Sequence, residues 1–216
     1  MAITFVNYQA TNLGNGDTSL SDTIDIGTRT NGLLLCMVHM IVSGTPSPSA
    51  TYNSVSMSLD VEYSNGNSRI WIFSLPAPTD GSNTFTVSFS GNNLQAELIS
   101  SWHDGALQTT PFDTSATANG TGIPTVDHTP NNDNELIVSM YYSTANTPPT
   151  VGSGETDMGV IDTGSNCSGC SYVIQGTATT QTMDWSDVGA DSWDLATASY
   201  QAAATEAARR IFITHS

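Results

Sequence analysis

The sequence predicts an all-β protein: an antiparallel, jelly-roll-like β-sandwich with essentially no helix, read as a single domain over residues 1–216. Three observations point there. Apolar and polar residues alternate at period two through one short segment after another, which is the pattern of half-buried strands. Gly, Pro and Asn punctuate those segments at close spacing. Only 11% of residues are charged, so Ser, Thr, Asn and Gly must fill most exposed polar positions, as on a β-rich surface. With 38% hydrophobic residues the chain can bury a sizeable core.

The elements follow in order. Residues 3–8 read as a first strand from the third position onward, with neither the positive start nor the long apolar run of a signal peptide. Residues 22–26 alternate cleanly. Residues 33–42 are almost wholly apolar and should run through the centre of a sheet; at ten residues they are too short to span a membrane. Residues 51–59 alternate through Tyr52, Val55, Met57 and Leu59, and Asn65-Gly66-Asn67 is a turn signal. In residues 69–75, Ile70, Ile72 and Ser74 share one face and Trp71, Phe73 and Leu75 the other; Pro76 ends the strand. Phe85, Val87 and Phe89 line one face of residues 83–89, and Gly91-Asn92-Asn93 turns the chain into residues 94–102.

A long polar stretch, 103–130, carries no clear strand signal. Strands resume at 135–142, 158–161, 172–175, 182–185 and 192–203, and residues 209–214 close the tail. Only residues 202–210 have helix-favouring composition, and they are few. No fixed-period repeat is visible.

The charge balance is extreme. The chain has no lysine, four arginines (Arg29, Arg69, Arg209, Arg210) and 20 acidic residues, for a net charge of −16. That excludes the basic cluster a nucleic-acid partner requires and the polybasic surface that docks on anionic membranes. Arg209-Arg210 holds half of the positive charge and is the candidate docking contact.

Chemistry-bearing residues are sparse. Cys36 reads as a buried thiol, and Cys167-Ser168-Gly169-Cys170 as a CxxC in a Gly/Ser loop, either a local disulfide or two thiols, with no second pair to complete a zinc site. His39 reads as a core histidine. A metal site from His103, Asp104 and His128 would require them to converge in space. No GxSxG elbow marks a Ser/His/Asp hydrolase. Glu62, Glu97, Asp104 and Asp113 are the carboxylates a glycosidase pair would draw on, and solvated surface acids are the simpler reading. Two clusters of oxygen-bearing side chains invite calcium: Asp184, Asp187, Asp191 and Asp194, and Asn131, Asn132, Asp133 and Asn134; neither has EF-hand order. Trp185 and Trp193, near strand ends, are candidates for a glycan platform, set against burial in the core; Tyr141 and Tyr142 should lie on opposite sheet faces. No cofactor is expected.

Several stretches together carry a family likeness: residues 51–57 (TYNSVSM), 69–75 followed by Pro76, 81–91 (GSNTFTVSFSG), 108–113 (QTTPFD), 134–138 (NELIV) and 193–203. In that order they resemble the jelly-roll-like β-sandwich domains of phage virion proteins, which also recur in bacterial secreted multidomain proteins. The resemblance spans residues 51–203, with residues 1–50 as extra N-terminal strands and 204–216 as a tail. It implies a non-enzymatic structural or adhesive unit and supplies no catalytic residues. The expected function is a capsid decoration or cement protein of a bacteriophage virion, assembled in the host cytoplasm. Its expected partner is a major capsid protein, and its role suggests a homo-oligomer, a trimer. The alternative is a carbohydrate-binding or adhesive module of a bacterial surface or phage tail-fibre protein.

Overall fold

A computed structural model describes residues 2–13, 18–42, 44, 46–90, 93–145, 147–186 and 192–204. They hold only strands and connections, with no helix long and apolar enough to cross a membrane. Nine strands come first: β1 (Thr4–Leu13), β2 (Ser19–Asp25), β3 (Leu33–Val42), β4 (Pro48–Tyr52), β5 (Val55–Ser56), β6 (Ser58–Asn65), β7 (Ser68–Pro76), β8 (Ser82–Phe89) and β9 (Asn93–Asp104). Eight more follow: β10 (Phe112–Thr121), β11 (Thr125–His128), β12 (Glu135–Ser143), β13 (Thr150–Val151), β14 (Thr156–Asp162), β15 (Cys167–Gln175), β16 (Gln181–Ser186) and β17 (Ser192–Tyr200).

All pairings are antiparallel and form four sheets, ordered β2-β8-β4-β5, β1-β9-β3-β7-β6, β10-β17-β12-β15-β14 and β11-β16-β13. Three hydrophobic cores separate them. Leu34, Cys36, Val38, Trp71 and Phe73 of the β3-centred sheet meet Tyr52, Phe85 and Val87 of the first outer sheet. The opposite face, with Leu33, Leu35, Met37, Ile70 and Ile72, meets Leu136, Val138, Met140 and Ala196. Beyond that sheet, Ile137, Tyr141 and Leu195 meet Met183 and Trp185 of the second outer sheet. The faces expected for β7 are therefore both buried, each in a different core.

The stack is one topology wound twice. β10, β11, β12, β13, β14, β15, β16 and β17 take the places of β1, β2, β3, β4, β6, β7, β8 and β9; among the described residues only β5 lacks a counterpart. The two inner sheets pack face to face through equivalent elements. β3 meets β12, β17 meets β6 as β9 meets β14, and β10 meets β6 as β1 meets β14. This reciprocity is the mark of a two-fold, here internal to one chain. The β-bulges repeat too: the β1–β9 ladder shifts after Phe5, opposite His103, and the β10–β17 ladder after Phe112, opposite Tyr200.

This changes the expected organisation. One sandwich with added strands before residue 51 gives way to two stacked sandwiches, over residues 4–104 and 112–200. The first fifty residues are integral, since β3 lies between β9 and β7. The polar stretch 103–130 contains β10 and β11. Residues 51–59 form a hairpin instead of one strand, because Asn53 (φ 49°) and Ser54 (φ 63°) adopt left-handed conformations that close the two-residue β4–β5 turn.

Candidate functional site

The repeated registers place two polar regions at opposite ends of the interface between the inner sheets. At one end, His39 of β3 faces Glu97 of β9, and their equivalents on β12 and β17 are Tyr142 and Asp194. The His39 ring stacks on Tyr142 with centroids 3.7 Å apart, so the equivalent residues meet each other across the pseudo-dyad. Glu97 Oε2 lies 2.7 Å from His39 Nδ1, and Ser68 Oγ lies 3.2 Å from Nε2. The carboxylate favours the proton on Nδ1, which leaves Nε2 to accept from the Ser68 hydroxyl. Gln95 donates to the other Glu97 oxygen and is itself held by Asn166, which also accepts from the Tyr142 hydroxyl. Burial, with Glu97 and Asp194 nearby, pushes the Tyr142 phenol up to about 12.

Ser68, His39 and Glu97 have the connectivity of a hydrolase triad. They lack its access. His39 and Glu97 are fully buried, Ser68 nearly so, and Tyr142 covers the imidazole face. Asp194, the counterpart of Glu97, accepts hydrogen bonds from Asn65 (2.8 Å) and Tyr63 (3.4 Å) across the interface. This whole end is a closed tie between the inner sheets.

The other end is open on one side of the pseudo-dyad. A cavity of about 300 Å³ lies between Ser58, Asp60 and Ser74 of the first sandwich and the segment Thr109 to Phe112 that leads into the second. Asp60 occupies the β6 bulge, between Leu59 and Val61. Its carboxylate accepts from Tyr200 Oη at 2.9 Å, and burial raises its pKa while hydrogen bonds from Ser74 and Tyr200 oppose the rise. The cavity wall is pinned: Leu107 N donates to Gln201 O, Gln201 N donates to Pro111 O, and Gln108 Nε2 donates to the carbonyls of Gly32 and Ala106.

Trp185 is fully buried, stacked on Tyr141 with centroids 5.1 Å apart, and its Nε1 donates to Ser139 Oγ. Trp193 is 6% exposed. The glycan-platform reading of these two rings is therefore corrected: neither has a free face to offer a sugar. Each ring instead lies over a glycine. A Cβ at Gly169 would come within 2.7 Å of Trp185, and one at Gly120 within 3.0 Å of Trp193. Tyr141 and Tyr142 do lie on opposite faces.

The CxxC is the start of strand β15, not a loop, and its cysteines form no disulfide. Residues three apart on a strand point to opposite faces. Cys170 accordingly contacts Met140 Sδ, and Cys167 contacts Ala145 O. His103, Asp104 and His128 do not converge. His103 bonds Ser101, Asp104 holds Arg29 and Thr30 N, and His128 bonds Thr197. Among the described residues no three His, Cys, Asp or Glu side chains are grouped to hold a metal ion. Asp113 accepts from Asn131 and Asn132, and Asp133 from Ala178 N, so this cluster is a turn bonded to Asp113 of β10 and to the 177–180 connection. Asp187, Asp191, Arg209 and Arg210 lie outside the described residues.

Sequence reasoning missed the Asp60 cavity because its walls come from segments some fifty residues apart. The chain matches no protein-family model, no curated protein and no solved structure.

Proposed function

We propose that this protein is a non-enzymatic structural component of a phage virion, a decoration or cement protein on the outer face of the shell. The disposition of charge carries the reading. Both described arginines are turned to internal work: Arg29 pairs with Asp104 at 3.4 Å, and Arg69 donates to the carbonyls of Gly44, Gly66 and Ser68. With no lysine, the acidic residues thus have no free described cation beside them. Such a surface repels packaged nucleic acid and is attracted to a basic face, which a major capsid protein would present. Interior carboxylates, imidazoles and hydroxyls tie sheets together, which suits a rigid reinforcing element. The protein acts as a homo-oligomer, a trimer, with Arg209-Arg210 in the tail as a docking contact.

Reconstitution tests this. Added to capsids stripped of it, the protein should rebind saturably, raise the temperature of shell disruption, and dissociate as salt screens the acidic face. Absence of both rebinding and stabilisation overturns the proposal.

A further inference from the structure

The internal repeat shows what fills the Asp60 cavity's counterpart. Ser74 is opposite Leu35, and Tyr172 is opposite Val138 at the matching register. Tyr172 stacks on Phe5 with centroids 4.8 Å apart, and buried Met158 stands one past the ladder residue that matches Leu59. An aromatic stack and a thioether thus occupy one site. In the other, Phe112 has no such partner, Ser74 replaces the tyrosine and Asp60 the methionine. The open space departs from a solution that the same fold already uses, so packing does not require it.

We propose that this cavity binds one neutral polyhydroxylated ring, a monosaccharide unit. Its volume is at the lower end of the roughly 300–1,000 Å³ typical of small-molecule sites, room for a single ring. Its chemistry suits vicinal hydroxyls. The Asp60 carboxylate keeps acceptor capacity beyond Tyr200 and Ser74, the hydroxyls of Ser58, Thr109 and Thr110 both donate and accept, and Phe112 supplies an apolar wall. Other ligand classes fit less well. An anion meets Asp60 and a net charge of −16. A divalent cation wants six or more oxygens and more than one carboxylate. A fully apolar ligand would strip water from Asp60 without replacing its hydrogen bonds. The bonds that pin residues 107–111 preform the wall, so little ordering cost attends binding.

The test titrates the full chain with glucose, galactose, mannose and N-acetylglucosamine. Readouts are saturation transfer to the sugar and amide shifts of residues 109–112. At least one sugar should bind saturably, with a dissociation constant on the order of 1 mM. Thr110→Trp, at an exposed rim position, should abolish binding while leaving the unfolding midpoint unchanged. Asp60→Asn should weaken binding several-fold. The proposal is overturned if no sugar binds, if binding survives Thr110→Trp, or if methylammonium or calcium shifts the same amides and sugars do not. Rebinding to stripped capsids is scored separately, so either result can fail without the other.

Discussion

The two ends related by the pseudo-dyad begin alike and finish differently. Phe5 sits edge-on to His103 at 5.6 Å, and Phe112 edge-on to Tyr200 at 6.1 Å, beside the same bulge. The first pair is capped by Tyr172; the second has no such cap and leaves a cavity over Asp60. Backbone topology and bulges therefore do not decide which end is open. The side chains at three equivalent positions do: Tyr172 or Ser74, Met158 or Asp60, His103 or Tyr200. The same holds on the axis, where one β3/β9-type pair is His39 with Glu97 and the other is Tyr142 with Asp194.

The largest effect should come from breaking the axial tie on its charged side. Glu97→Ala leaves the His39 Nδ1–H and the Gln95 amide without their acceptor, at roughly 1–3 kcal/mol for each stranded donor in urea unfolding; Asp194→Ala should cost less. Equal losses for Glu97→Ala and Asp194→Ala would show that the two sides are energetically equal.

Next, Tyr172→Ala should create in the capped end the opening already present at the other, costing about 2–4 kcal/mol because the ring is only partly exposed. No change in unfolding free energy would mean that Phe5 collapses into the gap.

His103 against Tyr200 predicts an asymmetry in acid. Burial holds the His103 imidazole down at about 3, well below its ordinary value of about 6.5. Between these values the unfolded chain takes up a proton that the folded chain refuses. His103 thus makes its full contribution to stability above about pH 6.5 and loses it as pH falls, by up to roughly 1.4 kcal/mol per pH unit. His103→Gln should flatten the fall in stability between pH 6.5 and 4.5; an unchanged slope would place the uptake elsewhere, with His128 next, at about 4. The Tyr200 phenol is instead raised, by burial and by Asp60, so it stays neutral through this range.

The smallest effect belongs to Ser74→Phe. Filling the open end in imitation of Tyr172 should change stability by less than about 1 kcal/mol in either direction. A loss of several kcal/mol would show that the cavity is too constrained to accept a ring.

Most strands were legible because their inward side chains are large. β3, β7 and β8 announce themselves by runs or alternation of Leu, Ile, Trp and Phe. β10 was missed because its inward positions carry Ala116, Ala118 and Gly120, small residues that leave room for rings such as Trp193. The start of β15 reads as a loop for the same reason: Gly169 looks like a loop residue but is where Trp185 lies. A glycine or alanine under a tryptophan is part of the core, yet leaves no hydrophobic period in its own strand. The cavity was illegible because nothing in the local pattern of residues 58–60 or 109–112 marks a shared wall.

By itself, the sequence determined the all-β class, the location of most strands, both faces of β7 and the acidic, lysine-free charge balance, because those depend on local period and composition. The tertiary structure alone decided that the sandwich is wound twice about an internal dyad, that Trp185 and Trp193 are core, and that His39 joins Glu97 and Ser68. The physical reason is that these depend on which ladder position meets which across a sheet interface. Equivalent positions here hold chemically unlike residues, His39 and Tyr142 or Ser74 and Tyr172, so the repeat lives in backbone pairing and leaves no periodic trace in the chain.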